Sequence, residues 1–140
     1  ESRVPLIMHP GLASHPQHAL AMAQMSACGP IFSFEVDGGR AQAHALLDAL
    51  QLIEISNNIG DSRSLITHPA STTHHGVGAE GREAMGVREG LLRINIGLED
   101  ADDLIEDLGQ AFDIAYARYI DRHADFDVFQ QLTSGGVCLI

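Results

Sequence analysis

Apolar residues recur along this chain at two spacings, and the spacing changes where the chain must turn. Ile31 to Val36 alternates, with Phe32, Phe34 and Val36 on one side and Ser33 and Glu35 on the other, the two-residue period of a half-buried strand. Asp37-Gly38-Gly39 then turns the chain. Ala43, Leu46, Leu47 and Leu50 follow at i, i+3, i+4 and i+7, a stripe on one face of a helix. In Leu91 to Leu98 the alternation returns: Leu92, Ile94, Ile96 and Leu98 point one way, Leu91, Arg93, Asn95 and Gly97 the other. Glu99, Asp100, Asp102 and Asp103 then place negative charge where a helix N-terminus favours it. Leu104, Leu108, Ala111, Phe112, Ala115 and Tyr119 continue as one helical stripe, with Arg118 and Arg122 near its far end.

The remaining segments carry weaker signals. Ser14-His15-Pro16-Gln17 has the form of a capping box and predicts a helix through Ala19, Leu20, Met22, Ala23 and Met25, stopped by Cys28-Gly29-Pro30. Leu52 to Ser56 reads as a short strand, Asn57 to Asp61 as a turn and Ser64 to Thr67 as another strand. Residues 70–81, rich in Ser, Thr, His and Gly, read as loop, and Arg82 to Met85 as a short helix. Helices and strands alternate, but several connections are too brief for crossovers. The pattern predicts one domain of the α/β class, built as α+β layers: a short, mostly antiparallel sheet with helices on one face.

Composition narrows the choice of partners. Of 140 residues, 19 are acidic and 8 basic, giving a formal charge of −11. Such a surface repels phosphate backbones and anionic lipid heads, which argues for no nucleic acid and no membrane partner. No apolar run approaches the roughly 20 residues that span a bilayer. Every basic residue is an arginine, and lysine is absent. Cys28 and Cys138 are too few for a disulfide scaffold and read as reduced thiols of a cytoplasmic protein, with Cys28 expected to be buried. The start at Glu1 hints at processing or a fragment.

Three places could carry chemistry. Arg93 and Asn95 occupy mid-strand positions opposite a pure Leu/Ile face. Arg93 is then either a residue of a solvated outer face or a forked guanidinium held rigidly to grip a carboxylate, and the pattern alone does not separate the two. Asn57-Asn58-Ile59-Gly60-Asp61 could present amides to an anion or could be a plain turn. His68, His74 and His75 match no metal-site spacing and read as hydrogen-bonding or solvated loop residues. No Gly-x-Ser-x-Gly elbow, Walker loop or Gly-x-Gly-x-x-Gly occurs.

Three blocks resemble one enzyme family in its order and spacing. They are Pro10-Gly11-Leu12-Ala13-Ser14-His15-Pro16-Gln17-His18-Ala19, the stretch from Ile55 to His74, and Leu92-Arg93-Ile94-Asn95-Ile96-Gly97-Leu98-Glu99-Asp100 with Asp103-Leu104-Ile105. Together they resemble the C-terminal domain of the Cys/Met-metabolism enzymes that use pyridoxal 5'-phosphate (PLP), the cystathionine γ-synthase type, and most closely its O-succinylhomoserine sulfhydrylase branch. The resemblance implies the small domain of a fold-type-I PLP transferase over residues 1–118, followed by an atypical tail at 119–140. It implies PLP as cofactor of the parent enzyme, with none bound by this chain alone. It also implies a large PLP-binding domain as partner, a small amino-acid substrate, homo-oligomeric assembly and a place in methionine biosynthesis by transsulfuration. The resemblance carries substrate binding over to Arg93, Asn58 and Thr73, with Arg93 and Asn58 on the α-carboxylate and Thr73 near the cofactor side of the pocket. The family's Schiff-base lysine belongs to the preceding large domain, so this chain is expected to be inactive alone. The alternative is a free-standing carboxylate-binding or dimerisation module without catalysis.

Overall fold

The computed structural model describes residues 3–117. Arg118, Tyr119, Arg122, Cys138 and the tail expected at 119–140 lie outside the described residues. Among those described, the strands are β1 (Leu6–Met8), β2 (Ile31–Glu35), β3 (Glu54–Ile55), β4 (Leu65–Thr67) and β5 (Leu91–Asn95). The helices are α1 (His18–Gln24), α2 (Gly39–Ala49), α3 (Ala79–Ala84) and α4 (Ala101–Ala115), with single 3-10 turns at Pro69–Ser71 and His75–Val77. The strands form one sheet in the order β1-β2-β5-β4-β3. Every pairing is antiparallel except β3 with β4. The mostly antiparallel sheet expected from the short connections is therefore present.

The core lies on the sheet face that the alternation marks as apolar. In register, Phe32 sits opposite Ile94 and Phe34 opposite Leu92, and all four are buried. Ala43, Leu46 and Leu47 of α2 and Leu104, Leu108, Ala111 and Phe112 of α4 cover them. Burying each such large side chain is worth roughly 1.5–3 kcal/mol against leaving it in water. Gly38 and Gly39 both have positive φ (94° and 66°), so the turn into α2 takes a backbone conformation that other residues adopt only with strain. At α4, the Asp100 carboxylate accepts the Asp102 N–H at 2.9 Å, an N-cap in the acidic first turn read from the sequence.

One polar side chain interrupts the buried stripe of α4. The Asp107 carboxylate accepts the backbone N–H groups of Gln51, Leu52 and Ile53 at 2.8, 3.0 and 2.9 Å. Gln110 Nε2 donates to Ala49 O at 2.7 Å and to Asp107 Oδ1 at 3.0 Å. Together they satisfy backbone groups where the chain leaves α2, which would otherwise be stranded beside the core. Burial alone would raise the Asp107 pKa, but these hydrogen bonds to the charged form prevail and hold it below its ordinary value.

Several sequence expectations need correction. The Ser14 capping box does not cap a helix: α1 starts at His18, its N-cap is Gln17, and no side chain bonds the cap. Nor is α1 a core helix, because only Ala21 is buried while Leu20, Met22 and Met25 are exposed. The strand expected over Leu52 to Ser56 shrinks to two residues because Asp107 holds the preceding N–H groups. Residues 70–81 are not simple loop but hold two 3-10 turns and the start of α3. Strand β1 gave no alternation signal. The β5 ladder ends at Asn95 and Leu98 is 65% exposed. The cause is Gly97, where a Cβ would collide with the backbone of Ser62 and Arg63, so the chain swerves against that loop. Cys28 is half-buried rather than buried.

Candidate functional site

The opposite sheet face is where the polar half of each alternation collects. Register places Met8, Ser33, Arg93 and Thr67 in one row across β1, β2, β5 and β4. This face is not a bare solvated surface. Leu91 packs with Ala70, Val87 and Met8 in a small second apolar cluster, and Asn95 is buried. Between them Arg93 is half-buried, on a strand fixed on both sides by neighbours.

The 57–61 turn lies against this row. Arg93 Nη2 donates to Asn57 O at 2.9 Å, and the Gly60 N–H donates to Asn95 Oδ1 at 3.2 Å. Two outward residues of one strand thus hold both ends of the turn, and Asn58 lies between them. Asn58 is exposed, its N–H donates to Ser56 Oγ at 3.2 Å, and its side-chain amide makes no hydrogen bond among the described residues. Thr73 is also exposed; its hydroxyl pairs with His74 Nδ1 at 2.8 Å and makes no hydrogen bond to Arg93 or Asn58. The structure therefore brings Arg93 and the Asn58 turn together directly, while Thr73 stands one residue beyond the contacts that reach them.

Electrostatics distinguishes Arg93 from its neighbours. Arg3 lies 3.5 Å from Asp113, Arg40 and Arg82 share Glu89 at 2.6 and 3.0 Å, Arg88 meets Glu35 at 3.2 Å, and Arg63 meets Glu54. Arg93 has no carboxylate partner among the described residues; its recorded acceptor is a neutral carbonyl. In a chain of formal charge −11, a half-buried arginine that meets no acid holds a guanidinium fork suited to a carboxylate from outside.

Of the histidines in this region, His68 is built into the structure. His68 is buried, with Nε2 2.8 Å from Glu89 O and Nδ1 2.7 Å from Ser71 Oγ, and its ring meets His44 edge-on at 4.8 Å. Burial lowers its pKa first of all, with the nearby His44 and Arg40 lowering it further against the hydrogen bond to Glu89 O. Glu89 titrates below its ordinary value, chiefly because Arg40 donates to it. The sequence pointed to Asn95 and to the Asn57 turn as places that could carry chemistry, but not to Thr67 or Thr72. The signal available was parity: Thr67 and Asn95 fall on the Arg93 side once the β4–β5 register is known.

Comparison with known proteins gives consistent matches. A family model described as Cys/Met metabolism PLP-dependent enzyme matches residues 1–113. An O-succinylhomoserine sulfhydrylase of Mycobacterium tuberculosis is 49% identical over 109 residues, covering 75% of this chain and 27% of that protein. An L-methionine gamma-lyase of Pseudomonas putida is 46% identical over 111 residues, covering 79% and 28%. Among solved structures, cystathionine gamma synthase of Xanthomonas oryzae pv. oryzae in complex with cystathionine superposes with TM-score 0.79 at 43% identity, over 85% of this chain and 31% of that one. The chain thus spans little more than a quarter of the length of these curated relatives.

Proposed function

We propose a function from one premise: the chain belongs to the Cys/Met metabolism PLP-dependent enzyme family. It serves as the C-terminal domain of a PLP-dependent γ-replacement enzyme, an O-succinylhomoserine sulfhydrylase, and binds the α-carboxylate of the amino-acid substrate. The single observation that carries this reading is Arg93, half-buried in mid-strand and without a carboxylate partner among the described residues. The cystathionine in the Xanthomonas cystathionine gamma synthase complex supports it, because that ligand bears such a carboxylate.

The chemistry divides between this segment and the rest of the enzyme. PLP, when bound, supplies the electron sink for bonds at the substrate Cα. This chain has no lysine, so it does not supply the Schiff-base anchor. The donor set around Arg93 suits an anion. Arg93 offers N–H donors in a fixed plane, and two parallel bonds to a carboxylate set both distance and orientation. Asn58, with its free amide at the tip of the turn, adds a donor to the same carboxylate, and Thr73 borders the pocket. Holding the carboxylate fixes which bond at Cα faces the reacting groups. Such positioning acts on kcat as well as on binding. The large domain and a homo-oligomeric assembly complete the pocket.

The test is Arg93→Ala in the full-length enzyme that contains this segment. The reading expects kcat/KM for the amino-acid substrate to fall by about 100-fold or more, while the melting temperature stays near that of the parent. Unchanged turnover with the acyl-homoserine substrate would overturn it.

A further inference from the structure

Arg93 does not hold the Asn57 carbonyl by chance, because the residue it grips is itself held from the other side. Thr67, directly opposite Arg93 in the β4–β5 register, has Oγ1 2.7 Å from Asn57 Oδ1 and 2.9 Å from Thr72 Oγ1. Thr72 Oγ1 in turn donates to His68 O at 2.8 Å. The line from His68 through Thr72, Thr67 and Asn57 to the guanidinium is unbroken. It also closes on itself, since Thr67 and Arg93 are neighbours in the sheet.

Proton counting orients this line. Each threonine hydroxyl has one proton to give. If the oxygen of the Asn57 amide faces Thr67, the contacts Asn57–Thr67, Thr67–Thr72 and Thr72–His68 join oxygen to oxygen with only two hydroxyl protons between them. One contact would then set lone pair against lone pair at hydrogen-bond distance. With the amide nitrogen turned to Thr67, each contact has a proton: Asn57 Nδ2 donates to Thr67, Thr67 to Thr72, and Thr72 to His68 O. Amide orientation is assigned from such networks, and this network requires the nitrogen.

We infer that Thr67 and Thr72 are positioning residues, whose hydroxyls lock the Asn57 side chain and, through its carbonyl, the orientation of the Arg93 guanidinium. The inference rests on the reading of Arg93 as the carboxylate-binding group. Thr67 is fully buried, so breaking its link leaves a polar group unpaired inside the protein, which favours a single arrangement.

A double-mutant cycle in the full-length enzyme tests it, with Thr67→Val and Arg93→Lys made singly and together. T67V keeps side-chain shape and removes the hydroxyl, both the acceptor for Asn57 and the donor to Thr72. The expected result is a fall of about tenfold in kcat/KM, carried mainly by a higher KM for the amino-acid substrate, with the cofactor absorbance unchanged. Thr67→Ser restores the parent value. In the R93K background T67V then changes kcat/KM little, because the group it orients is gone. A parent-like T67V, or effects of T67V and R93K that simply multiply, would overturn the positioning role while leaving Arg93 as the clamp. A parent-like R93K would overturn the clamp itself. Should T67V fold poorly, Thr72→Val carries the same expectation of raised KM and of non-additivity with R93K.

Discussion

The two faces of the sheet use the same strands for opposite ends. On one, Phe32, Phe34, Leu92 and Ile94 disappear under α2 and α4. On the other, Ser33, Arg93 and Thr67 line up at the same register positions, displaced by one residue. The first face takes its energy from area removed from water and tolerates no polar atom that lacks a partner. The second spends hydrogen bonds on holding a turn and leaves Arg93 without an acid among the described residues. Alternation along β5 therefore separates what holds the domain together from what it presents, and changes on either side should move different measurements.

Ile94→Ala should have the largest effect on stability. It removes a fully buried side chain between β2 and the helices and should cost about 2–5 kcal/mol of unfolding free energy in denaturant titrations. The protein that remains folded should keep its KM; a raised KM at full stability would erase the distinction between the faces. Asp107→Ala comes next, at about 2 kcal/mol, since it leaves the N–H groups of Gln51, Leu52 and Ile53 without their acceptor. Its mark should be faster hydrogen exchange at those amides, and exchange unchanged there would show that water replaces the carboxylate without loss. The smallest effect is a pH dependence at the boundary between the faces. The His68 pKa is lowered in the folded state by burial, with His44, Arg40 and Glu89 as its charged or titratable neighbours. The unfolded chain then takes up the proton first, so this contribution is complete above the ordinary value of 6.5 and is lost as pH falls below it. His68→Asn should flatten the decline of melting temperature as pH falls below 6.5, and a decline of the same slope would assign it to other groups.

What the sequence revealed depended on how local the signal was. The alternation in β2 and β5 and the stripes of α2 and α4 are set by neighbours within a turn or two, and they were legible. The β1 edge exists only because a partner strand pairs with it, so its own residues carry no period, while β3 was legible but longer in the sequence than in the fold. Leu98 misled for a similar reason: its alternation is sound, but Gly97 swerves the backbone against Ser62 and Arg63. α1 was legible as a helix, but not the exposure of its apolar residues, which is not a local property. At the candidate site, Arg93 stood out as a charge in mid-strand, whereas Thr67 and Thr72 looked like ordinary loop-edge threonines. Their importance lies in a register and a proton count that only the folded chain supplies.

Strand order has a consequence for how the domain comes into being. β2 and β4 never touch as strands; each pairs with β5, which follows both in the chain. Before residues 91–95 are in place, β1–β2 and β3–β4 are two separate ribbons, neither with enough strands to be stable by itself. β5 zips them into one sheet and carries Arg93 in with it. A ribosome making this segment thus delivers the keystone of the architecture and Arg93 in the same few residues, and a nascent chain halted short of them has neither.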